Sequence, residues 1–122
     1  METQNSQLQE MLKKMAEELG ETPLTMEYLS KLNKNMVFEH ASNKNFAMSG
    51  DHIPPKYKLL ISLAISAALG SKNCINTYTK VALNKGIKPE EIMEVLVLTR
   101  FVKGTTAISD STEAMKTIID RI

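Results

Sequence analysis

Residues 55–86 read PKYKLLISLAISAALGSKNCINTYTKVALNKG, and their reading decides the fold. From Leu59 to Leu69 only Ser62 and Ser66 interrupt an apolar run, with Lys56, Lys58 and Lys72 at its flanks. The run is too short to span a bilayer and is that of a buried core helix. Pro55 suits a first helical position, where no amide hydrogen is needed, and Gly70 suits the left-handed residue that closes a helix. Ser71 follows at once and can cap a second helix through Thr77, Val81 and Leu83, which ends near Gly86. Two helices joined so tightly form a hairpin or a sharp corner.

The same punctuation extends in both directions. Upstream, Leu8, Met11, Leu12, Met15, Ala16 and Leu19 share one helical face, with Glu10, Lys13, Lys14, Glu17 and Glu18 opposite. This predicts an amphipathic N-terminal helix within residues 1–22. Thr22 before Pro23 has the form of a cap and a first helical position, and apolar residues between Asn33 and Met48 predict a further helix. Downstream, Pro89, Glu90 and Glu91 place proline and two acids in a first turn, where the helix dipole favours negative charge. Ile92, Val95, Leu96, Thr99 and Val102 continue that helix. Gly104 is expected to separate it from a last one carrying Ala107, Ile108, Ala114, Met115, Ile118 and Ile119. No strand-like alternation occurs. The expected fold is all-α, with about six helices around a central helical hairpin, in one domain over residues 1–122.

The chain of 122 residues is long enough for a single core, and 43% hydrophobic against 24% charged residues is an ordinary globular balance. Fifteen basic and fourteen acidic residues give a net charge of +1, which removes the electrostatic case for a nucleic acid or membrane partner. The polar N-terminus lacks the order of a signal peptide, and the lone cysteine suits a reducing compartment, so a cytoplasmic location is expected. The run Leu59–Leu69 is apolar almost all round, and so short a chain has few helices to cover it. A homo-oligomer is expected, with Ser62, Ala64, Ser66, Ala67 and Ala68 permitting close helix approach.

Cys74 is the candidate reactive group. With Ser71 as cap, it stands at the third helical position, near unpaired amides and the positive end of the dipole, with Lys72 close by in sequence. Those surroundings favour the thiolate, whereas a small buried cysteine would be inert. Tyr78 lies one turn on, on the same face, able to donate a hydrogen bond or to serve as a core aromatic with a wet tip. His40 and His52 are the only imidazoles and lack metal-ligand spacing. No glycine-rich phosphate loop or nucleophile elbow occurs, so neither a cofactor nor a metal is expected.

The order Pro55 to Leu69, Gly70, Ser71, Lys72, Asn73, Cys74, Ile75, Asn76, Thr77, Tyr78, Ala82, Leu83, Gly86, then Pro89, Glu90, Glu91, Ile92, Glu94, Val95, resembles the carboxymuconolactone decarboxylase and alkylhydroperoxidase D-like family. The likeness covers roughly Asp51 to Ala107 and is looser upstream. It implies an all-α fold assembled as trimers or hexamers. In the peroxidase branch a CxxCxxxH motif and an upstream glutamate form a redox pair and a proton relay. The corresponding positions are Ser71, Cys74, Tyr78 and Leu59. Only the cysteine that is Cys74 is kept, so an internal dithiol cycle cannot run, and sulfenic acid chemistry would need an external thiol.

Three readings follow from that comparison. The leading one is a thiol-dependent, antioxidant peroxidase of peroxiredoxin type, with Cys74 reactive and Ser71 and Tyr78 shaping its pocket. The second is a decarboxylase acting on carboxymuconolactone or a related small acid, although that branch has a histidine where Tyr78 stands. The third is a non-catalytic oligomer that binds a small molecule or partner.

Overall fold

The computed structural model describes residues 2–122 as seven helices: α1 (Glu2–Leu19), α2 (Leu24–Leu32), α3 (Lys34–Met48), α4 (Pro55–Leu69), α5 (Lys72–Asn84), α6 (Pro89–Ser109) and α7 (Thr112–Arg121). Among the described residues there is no strand, and no helix is long and apolar enough to cross a membrane.

The corner between α4 and α5 follows from Gly70. Its φ of 72° lets the Ser71 N–H reach the Ser66 carbonyl (3.0 Å) and its own N–H the Ala67 carbonyl (3.2 Å). That pair of bonds is a Schellman closure, which satisfies carbonyls that the end of the helix would otherwise leave bare. Gly86 repeats it at the end of α5 with φ 87°, where Ile87 N–H bonds to Ala82 O (3.0 Å) and Gly86 N–H to Leu83 O (3.0 Å). The second closure carries Ile87 back into the core beside Ala82.

The main core lies where α4, α5 and α6 meet. Leu63, Ala82, Ile87 and Ile92 are buried in one cluster, with Leu59, Leu60, Ile75, Tyr78 and Val95 packed around it. Ser62 and Ser66 cost α4 little, because each hydroxyl donates to the carbonyl four residues back (2.7 Å in both). Helices α1, α2 and α3 form a second layer, which meets the first chiefly where α1 packs on α5. Gly20, at φ 84°, ends α1 against Asn84, whose side-chain amide donates to Glu18 O (3.2 Å), and a Cβ at position 20 would lie 3.0 Å from that amide nitrogen. Glu21 and Lys80 pair beside this contact.

Two local readings are corrected. Pro23, not Thr22, occupies the cap position of α2, and Leu24 is the first helical residue. Gly104 does not end α6, which continues to Ser109; the described residues form seven helices where about six were expected. No positive φ is imposed on Gly104, so the helix passes through it. The break falls instead in a hydroxyl-rich run, where Thr106 donates to Lys103 O (2.6 Å) and Ser111 to Ala107 O (2.6 Å), in competition with the helical pattern.

The N-termini of α4 and α6 are tied by Lys56 and Glu91, 2.6 Å apart, and Glu91 also accepts the Lys88 N–H (3.0 Å). The hydrogen bond from Lys56, then that from Lys88, holds the Glu91 carboxyl below its usual range, and the same Lys56–Glu91 bond raises Lys56. A carboxyl lowered on folding stabilises fully above the ordinary carboxylate range, and the contribution is lost as pH falls through the folded value. The raised lysine contributes below the ordinary lysine range and loses its share as pH rises through its folded value. Glu91→Gln is therefore expected to flatten the acid limb. Between about pH 6 and about pH 3 the native melting temperature should drop more than the variant's, by a small margin because the pair is partly exposed. Parallel acid limbs in thermal melts would contradict this.

Candidate functional site

A cleft of about 570 Å³ opens between the two layers. Its α5 wall carries Ser71, Asn73, Cys74, Thr77, Tyr78 and Val81, the α4 wall Lys58 and Leu59, and the facing layer Glu18, Met26, His40, Lys44 and Met48. The three residues singled out by sequence, Ser71, Cys74 and Tyr78, thus line one space.

Cys74 is exposed at the third position of α5. Ser71 has the extended backbone of a cap (φ −84°, ψ 94°), and its carbonyl accepts the Ile75 N–H (2.9 Å). Its side chain, however, makes no cap hydrogen bond, contrary to the expected capping role. The first-turn amides of α5 consequently keep their donors for an anion or an incoming oxygen beside the sulfur. Tyr78 serves two surfaces, since it packs against the core cluster and also lines the cleft. The core contact fixes where it stands.

Lys72 does not line the cleft, so the charge expected from it is supplied by others. Lys44, Lys58 and Lys85 line it against the single carboxylate of Glu18, to which Lys44 is paired at 3.5 Å. The Lys58 ammonium donates to Met48 O (2.8 Å) and to Gly50 O, pinning the α3–α4 loop to the cleft. The remaining balance favours an anionic or polar oxygen-rich ligand. Leu59, which stands where the resemblance places a glutamate, contributes an apolar surface and no proton.

His40 is the residue that sequence reasoning passed over. It lies on α3, remote from Cys74 in the chain, and no spacing rule connects them; only the apposition of the two layers brings both to the cleft. His52 lies in the exposed loop before α4, near Asp51 (3.9 Å). Among the described residues no three His, Cys, Asp or Glu side chains gather to hold a metal ion.

A helical hairpin with a free thiol at the start of its second helix, facing a cleft, defines a class of all-α thiol-bearing domains. The chain belongs to the carboxymuconolactone decarboxylase family, whose model matches residues 23–117. The match begins at α2 and ends in α7, wider than the motif-bearing stretch from Asp51 to Ala107. Among curated proteins there is no significant match.

Proposed function

We propose that the protein reduces hydroperoxides through Cys74, with an external thiol as reductant. The observation that carries this reading is the exposed Cys74 sulfur at an uncapped helix N-terminus in a basic cleft. The thiolate attacks the outer peroxide oxygen, the O–O bond breaks, and the leaving alkoxide takes a proton to become the alcohol. Cysteine sulfur is oxidised to sulfenic acid as the peroxide is reduced. One external thiol then condenses with the sulfenic acid, releasing water and forming a mixed disulfide. A second restores Cys74 and leaves as the oxidised disulfide.

Ser71 and Tyr78 shape the pocket, and the Tyr78 hydroxyl suits donation to the leaving oxygen. His40 takes the place of the missing motif histidine as proton carrier between thiol and alkoxide. His40→Gln is expected to slow sulfenic acid formation on the order of a hundredfold. An unchanged rate would leave His40 as lining only.

The direct test exposes the protein to stoichiometric organic hydroperoxide, traps the product and maps it by mass spectrometry, alongside thiol-coupled peroxide consumption. A sulfenic acid adduct on Cys74 with turnover supports the reading; an unmodified Cys74 sinks it. The lysine-lined cleft also suits a small organic acid. Carbon dioxide release from carboxymuconolactone, with no peroxide consumption, would move the assignment to decarboxylation. Silence in both assays would favour a binding role.

A further inference from the structure

The cleft is long in one direction. Cys74, Tyr78, Val81 and Lys85 all line it, and offsets of four, seven and eleven residues from Cys74 put them in one stripe along α5 up to its cap. At a helical rise of about 1.5 Å per residue, the steps from Cys74 to Lys85 cover about 16 Å. The sulfur therefore stands at one end of the stripe and an ammonium at the other. Tyr78 and Val81 lie between them on α5, and Leu59, Met26 and Met48 add apolar surface from the other walls.

The three cleft lysines are not equivalent. Lys44 is held by Glu18 at 3.5 Å, and Lys58 donates to Met48 O and Gly50 O. Lys85 takes part in none of the ion pairs among the described residues. Lys56, beside it in a shallow depression, is already tied to Glu91. A cation without a carboxylate partner at the end of an apolar surface selects an anion carried on a hydrocarbon chain. One ammonium, a compact point charge, matches a singly charged carboxylate better than a doubly charged phosphate.

We propose that Lys85 is a specificity-determining residue for the reaction at Cys74, binding the carboxylate of a long-chain fatty acid hydroperoxide whose peroxide group lies partway along the chain. The inference rests on the hydroperoxide reading of Cys74 and adds the class of molecule reduced. Oxygen adds to an unsaturated chain beside a double bond, remote from the acid group. Head and reactive group are thus separated in the substrate as ammonium and sulfur are in the cleft, and the chain between them covers Tyr78, Val81 and Leu59. The Cys74 thiolate takes the outer oxygen as the O–O bond breaks, and the leaving alkoxide gains a proton to become a hydroxy fatty acid. Lys85 holds the head and takes no part in that step.

Thiol-coupled kinetics with linoleic acid hydroperoxide and with its methyl ester, which differ only in the head group, test this. The native protein is expected to show a KM about five- to tenfold lower for the acid, with similar kcat. The two KM values should converge in Lys85→Gln, whereas Lys85→Arg should keep them apart. Comparing the ratio between proteins cancels the unequal solubility of acid and ester. A second arm needs no turnover: decanoate should slow the alkylation of Cys74 by iodoacetamide in the native protein and in Lys85→Arg, and lose that effect in Lys85→Gln. The assignment to Lys85 would be overturned by equal native KM values, by an acid preference kept in Lys85→Gln or lost in Lys85→Arg, or by decanoate shielding that is absent from the native protein or intact in Lys85→Gln. If neither hydroperoxide is consumed while shielding depends on Lys85, the peroxidase reading fails and the carboxylate site stands.

Discussion

Cys74→Ser is expected to abolish thiol-coupled hydroperoxide consumption while leaving the fold intact. The reaction needs a sulfur that is both ionisable and able to accept an oxygen atom, and a serine hydroxyl offers neither at neutral pH. The loss should be on the order of a thousandfold or more, equivalent to about 4 kcal/mol of barrier stabilisation. Because Cys74 is exposed, the substitution exchanges sulfur for oxygen at a wetted helix start, and stability should move by no more than about 0.5 kcal/mol. The comparison is therefore clean: one measurement follows peroxide and the other follows helical signal against temperature. Equal turnover by native and variant proteins would end the thiol mechanism, since the chain holds no second cysteine to take over.

The largest effect on stability is expected from Leu63→Ala. Leu63 has no exposed surface and sits where α4, α5 and α6 converge. Truncation removes its transfer energy and leaves a cavity that three helices, pinned by two glycine closures, can fill only in part. A cost of about 2–5 kcal/mol follows. Against a total of about 5–15 kcal/mol for a domain, that should lower the melting temperature by roughly 10–20 °C. A fall of less than about 3 °C would mean that the main core lies elsewhere. The same cavity lies beneath Tyr78, so hydroperoxide turnover should decline well below the melting point, with Cys74 chemically unaltered.

How far the sequence discloses this molecule depends on whether the determining interaction is local. The α4–α5 corner was legible because Gly70 and Gly86 act through their own dihedral angles and the bonds of adjacent residues. The helical position of Cys74 was legible for the same reason, counting from Ser71. Gly104 misled because composition says where a helix can stop, whereas the actual break is set by hydroxyl groups several residues later. The expected cap from the Ser71 hydroxyl failed at a finer level, since the backbone takes the cap geometry without the side-chain bond. His40 was beyond reach altogether. Its relation to Cys74 exists through the apposition of the two layers, which no periodicity records.

That packing has a consequence for selectivity. The walls of the cleft belong to different layers, joined by the Asn84–Glu18 bond beside Gly20, by the Glu21–Lys80 pair and by Lys58, which donates to Met48 O and Gly50 O. The cluster around Leu63 lies wholly in one of those layers. Tyr78 and Leu59 serve both surfaces, but Glu18 lines the cleft from outside that cluster, so the opening can be altered at position 18 without removing a side chain from the core.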